Sequence, residues 1–215
     1  MSSPRAALFV VATLVACAPV PTAAVVALPA SVVPACAAAE TAAGAPREEP
    51  LQIKDGIPYF QAKVLHPGAL RELGASLADA RPIDVAVDLE GVQASNRYYR
   101  PAVVREHFVD FNDDDLLGKG GSFTYVFLGV TPGRTYAFET YDSGGGSGIF
   151  MNVLLVRIER DTARVDDKME PRWVMKRVGI VALGDRADGK VTLAGSSLTL
   201  GASRYQPAER VIKID

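Results

Sequence analysis

The sequence predicts a mainly β protein: an antiparallel β-sandwich or barrel-like domain with one short helix, preceded by a signal and tether segment. Several segments alternate apolar and polar residues with a period of two, as half-buried strands do. Turn sequences separate these segments at short spacing, which favours antiparallel hairpins. A change in composition near residue 45 sets this part off from an Ala-, Val- and Pro-rich beginning whose only charged residues are Arg5 and Glu40.

The strand predictions follow the chain in order. In IDVAVDLEGV (83–92) every second residue from Ile83 to Leu89 is apolar, which predicts a half-buried strand. FTYVFLGV and RTYAFETY flank the turn sequence TPGR and predict a hairpin with Pro132 and Gly133 at its centre. Further strands are predicted at IFMNVLLVRIER (149–160), RWVMKRVGIVAL (172–183), the two halves of KVTLAGSSLTLG (190–201) and RVIKID (210–215).

Helix is predicted at one place. PGALRELGASLAD (67–79) has Leu70, Leu73 and Leu77 on one side, after a proline at the first turn. RPAVVREHF (100–108) fits a short helix and a strand equally well, because its apolar pattern does not distinguish them.

The opening residues, MSSPRAALFVVATLVAC, have the parts of an export signal. One cation, Arg5, precedes an apolar run (6–16) that is too short to span a bilayer. The last four of these residues, LVAC, resemble the lipobox of bacterial lipoproteins, and the resemblance covers this stretch only. It implies cleavage before Cys17 and acylation of that residue, which would hold the protein to a lipid bilayer.

The resemblance divides the chain into three parts: a lipoprotein-type signal peptide (1–16), an Ala/Val/Pro-rich tether (17–50) and a single β-rich domain (51–215). Ala18 follows the cysteine, where Asp would favour the inner membrane, so an outer-membrane lipoprotein facing the periplasm or the surface is expected in a Gram-negative source. Simple export to the periplasm or the medium is one alternative, because ACA around Cys36 offers a small-residue cleavage site, and an unprocessed leader is another.

Charge composition argues against nucleic-acid binding. The chain has 23 basic and 25 acidic residues and no basic stripe. Past residue 45 no apolar run is long enough for a membrane-spanning helix. The expected partners are therefore a lipid bilayer, through the acylated cysteine, and an envelope protein or glycan.

The stretch FVDFNDDDLLGKGGSF contains the candidate cation site. Asp110, Asn112 and Asp114 alternate as oxygen ligands of Ca²⁺ do, and they resemble the D-x-N-x-D loops of EF-hands and FG-GAP propeller repeats. The pattern then departs from both families: Asp115 stands where the sharp turn needs Gly, and Gly121 where an EF-hand has its bidentate Glu. Ca²⁺ is the one cofactor that the sequence suggests, and a solvated acidic loop is the alternative.

No catalytic constellation emerges from the sequence, and no catalytic residue is assigned. The Gly-rich segments YDSGGGSGIFMN and GKGGS lack the Lys-[ST] ending of a phosphate-binding loop. His66 and His107 fit no zinc spacing, so structural roles are expected for both. Glycosidases pair two carboxylates. The candidates for such a pair are Asp84, Asp88, Asp110, Asp114 and Asp142, of which the first two share a predicted strand face with Glu90.

Aromatic side chains offer a further kind of site, because they can stack on sugar rings. Core packing is the alternative for each of them. The candidates are Tyr98, Tyr99, Tyr141, Trp173 and Tyr205.

Together these features predict an exported, lipid-anchored bacterial envelope protein with a non-catalytic β-rich binding or interaction domain. Two alternatives remain. One is an envelope glycan or polymer hydrolase that uses paired carboxylates. The other is a Ca²⁺-stabilised β domain, whose thermal midpoint Ca²⁺ would raise.

Overall fold

A computed structural model of the chain describes residues 49–74, 86–94, 98, 100–112, 117 and 119–214. Within them the fold is mainly β with antiparallel sheets, which confirms the predicted fold class. The predicted signal segment, Cys17, Cys36 and the tether up to residue 48 lie outside the described residues. Neither helix in the described part of the chain is long and apolar enough to cross a bilayer.

The described elements form three antiparallel sheets and two short helices. In chain order they are β1 (Leu51–Lys54), β2 (Ile57–Phe60), β3 (Lys63–Val64), α1 (Pro67–Leu73), β4 (Ala86–Asp88), α2 (Leu89–Ala94), β5 (Val103–Arg105), β6 (Phe108–Asn112), β7 (Ser122–Val130), β8 (Tyr136–Ser143), β9 (Phe150–Val165), β10 (Lys168–Asp185), β11 (Val191–Ala194), β12 (Ser197–Leu200) and β13 (Arg210–Lys213). The central sheet has the order β4-β10-β9-β8-β7-β6-β5, and β1-β2-β3 and β11-β12-β13 form the smaller sheets.

Two apolar cores cover opposite faces of the central sheet. Alternate residues of β8 and β9 separate them, because successive side chains of a strand point to opposite faces. Phe138 and Leu154 belong to the larger core, which β1, β2 and α1 complete. Ala137 and Val153 belong to the smaller core, which β11 and β12 complete. The arrangement is sandwich-like, with the long strands between two layers.

The β7–β8 hairpin is confirmed and closes with a three-residue loop. The N–H of Thr131 donates to the carbonyl of Thr135 (2.9 Å), and the N–H of Arg134 donates to the carbonyl of Thr131 (2.9 Å). Pro132 and Gly133 lie at the centre, as expected, but the left-handed position falls on Arg134 with φ 62°. A non-glycine residue in that region is uncommon and carries some strain. The hairpin of β11 and β12 and the final strand β13 are also confirmed.

β9 and β10 form the longest hairpin and extend past the rest of the sheet. The pairing of β8 with β9 ends at Tyr136 opposite Val156, whereas β9 continues to Val165. From there on β9 pairs with β10 alone among the described strands. Asp166 and Asp167 make the connecting turn with φ 44° and 66°, the positive values that a two-residue hairpin turn requires. The two strands therefore project as a ribbon beyond the end of β8.

The prediction of a strand over 83–92 is wrong beyond Asp88. The expectation of a single helix is also wrong, because the described residues contain two. Only residues 86–88 of the described part are extended, and α2 follows directly. The side chain of Asp88 accepts a hydrogen bond from the N–H of Gly91 (3.0 Å), as an N-cap does. This cap begins a helix where apolar alternation alone indicates a strand. Glu90 therefore lies on a helix and not on a strand face beside Asp84, which itself lies outside the described residues.

Two other segments are settled by the structure. The predicted helix at 67–79 is α1, which is described as far as its C-cap Gly74, and Leu77 lies outside the described residues. The ambiguous segment 100–108 is extended: β5 and β6 pair around a tight turn at Glu106 and His107. Glu106 takes the left-handed conformation there, with φ 55°.

Candidate functional site

A cleft lies beside the first residue of β8, where the ribbon extends past that strand. Its volume is about 760 Å³. The loop between β7 and β8 forms one wall, and the outer edge of β9 forms the other. We call it the β9 notch and define it by its lining residues: Gly133, Arg134, Arg157, Ile158, Glu159, Arg160 and Trp173.

Three arginines line the β9 notch: Arg134 comes from the β7–β8 loop, and Arg157 and Arg160 come from opposite faces of β9. Arg134 enters from the strained loop position and contacts the Glu49 carboxylate (3.2 Å). Nε of Arg157 donates a hydrogen bond to the hydroxyl of Thr135 (3.4 Å), the residue directly before β8. Arg160 lies over the Trp173 ring, with its guanidinium carbon 4.6 Å from the ring centroid.

Glu90 fixes the position of Arg160. Its carboxylate accepts hydrogen bonds from Nη1 of Arg160 (2.9 Å) and from the backbone N–H of Trp173 (3.1 Å). Arg172 lies 3.7 Å from the other carboxylate oxygen. Because α2 carries Glu90 and β10 carries Trp173, this acid joins the helix to the ribbon. A cation held by both a carboxylate and an aromatic face is preorganised for a further anion.

One lysine partly neutralises two acidic residues on the face of the ribbon opposite Arg160. Nζ of Lys176 contacts Glu159 (2.7 Å) and also Asp161. These hydrogen bonds raise the pKa of Lys176 and lower the pKa of Asp161. Glu159 thus shares its lysine with Asp161, and the lining of the notch has three cationic residues and one acidic residue.

The aromatic candidates are mostly engaged in packing. Trp173 is 8% exposed and lies beneath Arg160, so little of its face is open to a sugar ring. Tyr98 is buried and stacks on His66 at 4.4 Å. Burial raises the pKa of Tyr141, Tyr205 is 54% exposed, and Tyr99 lies outside the described residues.

The predicted cation loop is only partly described. Asp110 accepts a hydrogen bond from the Thr124 hydroxyl (2.9 Å) and faces Arg105 (3.3 Å), so both a donor and a cation already engage its carboxylate. Asn112 is exposed at the end of β6, and Asp114 lies outside the described residues. Among the residues that are described, no three His, Cys, Asp or Glu side chains are grouped as metal ligands.

The described candidate carboxylates do not come together. Asp110 lies opposite Thr124, on one face of the central sheet. Asp142 lies opposite Phe123, on the face of the larger core, with Arg71 at 3.9 Å. Asp88 caps α2. The remaining two candidates, at 84 and 114, lie outside the described residues.

The two Gly-rich segments contact each other. Gly145 has φ 83°, and a Cβ atom there would overlap the carbonyl oxygen of Lys119. Close approach of two backbones requires glycine at such a position. This contact gives both segments a structural reason for their composition.

His66 has a structural role as the N-cap of α1. Its Nδ1 accepts the N–H of Gly68 (3.0 Å), so Nε2 must carry the proton that it shares with the carbonyl of Arg100 (3.0 Å). Both contacts are satisfied by the neutral ring. Burial lowers the pKa of His66, and the hydrogen bond to Arg100 opposes this only partly.

We expect this cap to make stability depend on pH. The folded-state pKa of His66 lies below its ordinary value of about 6.5, so the unfolded chain takes up the proton first. The stabilisation by the neutral His66 cap is fully present above pH 6.5, and it is lost as the pH falls from there through the lowered pKa. Urea unfolding between pH 7.5 and pH 5 tests this against His66→Asn, which keeps a capping oxygen. The stability difference between the two proteins should shrink towards pH 5, and a constant difference would contradict the assignment.

Comparison with protein-family models, with curated proteins and with solved structures gave no match. The β9 notch is therefore interpreted from its own geometry.

Proposed function

We propose that this chain is an exported, lipid-anchored envelope protein whose β-rich domain binds an anionic group of an envelope protein or glycan at the β9 notch. Binding, and no chemical step, is the proposed activity. The signal-like opening and the lipobox resemblance support export and anchoring. The notch supports the binding part.

One observation carries the binding proposal: Arg134 of the β7–β8 loop and Arg157 and Arg160 of β9 all line a single cleft. Guanidinium groups present several N–H donors in a plane and pair with carboxylate or phosphate in bidentate fashion. Trp173 and Glu90 hold one of them in place. Holding a cation in its binding position lowers the entropy that a ligand loses on binding.

Citrate is a suitable first probe, because it carries several carboxylates and has no stacking surface. We expect full-length protein to bind citrate and Arg157→Gln to weaken binding about fivefold, the equivalent of roughly 1 kcal/mol for one partly exposed charged hydrogen bond. Arg210→Gln, an exposed arginine on β13, is the matched control and should leave the affinity unchanged. Isothermal titration at low salt measures all three. Equal affinities for the two variants would contradict the site.

The anchor has its own test in palmitate labelling of the expressed full-length chain. We expect label on wild type and on Cys36→Ser, and none on Cys17→Ser, because only the acylated cysteine carries the lipid. The labelled proteins should be recovered in the membrane fraction, and Cys17→Ser should not. Label that survives in Cys17→Ser would refute the anchor assignment while leaving the notch untouched.

The hydrolase and Ca²⁺-stabilised alternatives stay predictions. Neither gains a specific observation from the described residues.

A further inference from the structure

The outer edge of β9 has no paired strand over its second half among the described residues. β8 covers this edge only up to Val156, and β9 continues for nine residues to Val165. The β9 notch lies at the point where the covered edge ends. A strand added here would continue the line of β8.

Two hydrogen bonds show which backbone groups face this edge. The N–H of Trp173 donates to the Glu90 side chain, so it points away from β9. Arg160 lies directly opposite Trp173 in the ladder, and its backbone N–H and C=O must then point away from β10. The N–H of Thr162, two residues on, follows the same alternation; it donates to the side chain of Asp161 (2.7 Å), and an added strand would replace that bond. Ile158 and Arg164 follow this parity and present their backbone to the outer edge as well.

We propose that this edge binds an extended, acidic segment of a partner protein as an added β-strand. The inference rests on the proposed function and deepens it, because it names the partner as a polypeptide. Main-chain hydrogen bonds to β9 would supply affinity, and side chains facing the ribbon would supply specificity.

The positive charge of two arginines on the ribbon favours an acidic segment. Arg160 and Arg164 lie on the same face of β9, four residues apart, and both are at least half exposed; an incoming carboxylate would join or replace their present partners, Glu90 and Asp167. On the other face Lys176 contacts both Glu159 and Asp161, and this cluster keeps one net negative charge, so the carboxylates of the incoming strand belong on the arginine face. Carboxylates four residues apart on one face of an incoming strand would meet the two arginines as cross-strand pairs.

A second copy of this chain fits the edge poorly. Antiparallel pairing about a two-fold axis puts one residue of β9 opposite its own copy. If the two-fold axis passes beside Asp161, the two Asp161 carboxylates lie opposite each other. If it passes beside Thr162, Arg160 of each copy lies opposite Arg164 of the other. Like charges directly opposite are destabilising. Centring nearer the notch would drive the copy into β8, which occupies the edge up to Val156. An axis nearer the β9–β10 turn would pair only the few residues next to that turn.

The other edge of the ribbon is less suited to strand addition. Pro171 of β10 lies opposite Thr162, so by the same alternation its nitrogen faces the outer edge of β10. Proline has no N–H to offer, and it is a usual way to block an exposed edge. The two edges of the ribbon therefore differ, and β9 is the edge that can pair.

The test uses full-length protein and a short Thr/Val-rich peptide with Glu at two positions four residues apart, labelled with a fluorophore. The protein variant is Thr162→Pro, which removes an outward N–H and leaves the ladder to β10 intact, with Thr162→Val as the matched control. The peptide variant has N-methyl groups along one edge, which removes its donors and changes nothing in the protein. Fluorescence anisotropy measures affinity, and thermal unfolding checks that each protein variant is folded.

We expect Thr162→Pro and the N-methylated peptide each to weaken binding about tenfold or more, with Thr162→Val unchanged. Exchange of Glu for Lys in the peptide should abolish binding, and Arg160→Gln with Arg164→Gln should weaken it and flatten its salt dependence. If the Glu peptide binds Thr162→Pro and wild type equally and tolerates N-methylation, strand addition is refuted. If citrate binding still depends on Arg157 in that case, the proposed function stands without strand addition. If the protein binds neither citrate nor the Glu peptide, both proposals are refuted.

Discussion

Replacing Phe138 with alanine should lower the free energy of unfolding by about 3–5 kcal/mol, the usual cost of removing a large aromatic side chain from a core. Phe138 is 0% exposed in the middle of β8. Its ring packs edge-on against Tyr125 at 5.5 Å and contacts Phe127 at 5.4 Å. The cavity would open between the central sheet and the layer that carries α1, where backbone on both sides limits collapse.

Urea unfolding of full-length protein measures this loss. Phe150→Ala is the matched control, because Phe150 is 39% exposed at the start of β9 and should cost well under 1 kcal/mol. Similar losses for the two variants would mean that the larger core does not lie on this face of β8, and the layered fold would be wrong.

Glu90→Ala should destabilise the protein by about 2 kcal/mol and strengthen anion binding at the β9 notch. The stability loss follows because the buried N–H of Trp173 loses its acceptor and two arginines lose a carboxylate. We take a value below that of a fully buried ion pair, because the Glu90 side chain is 20% exposed and Arg160 is 50% exposed. We expect an affinity gain because removing the carboxylate frees the positive charge of Arg160 for a ligand, and this gain should exceed the loss of the contact that positions Arg160.

Glu90→Gln separates the two effects. The amide oxygen can still accept from Trp173, so most of the stability should return, while the lost negative charge should still favour anions. Chemical unfolding and citrate titration measure both quantities. A Gln variant that binds citrate like wild type would show that Glu90 does not set the charge of the notch.

Part of the fold could be predicted from local patterns, since the β7–β8 and β11–β12 hairpins combine alternation with a turn signal in neighbouring residues. TPGR predicts the β7–β8 connection, and the structure places Pro132 and Gly133 at its centre. The helix α2 was missed because the apolar residues around Val87 and Leu89 fit a strand. The deciding contact is the short-range bond from the N–H of Gly91 to Asp88, which apolar periodicity does not register.

The candidate site could not be predicted in the same way. Its arginines lie in two hairpins, and they meet only because β9 is much longer than β8. That difference in length depends on sheet register, which emerges from tertiary pairing. The strained φ of Arg134 has no sequence signal either, because Gly133 next to it is the residue expected there. The sequence does carry one signal for the neighbouring β9 edge, because Arg160 and Arg164 have the spacing of residues on one face of a strand.

Backbone amide hydrogen exchange of full-length protein, with and without the Glu peptide, tests the β9 edge most directly. We predict that the peptide slows exchange at Ile158, Thr162 and Arg164, whose N–H groups face outward, and leaves β13 unchanged. Unaltered exchange along β9 while the peptide remains bound would place its binding surface elsewhere and contradict the account.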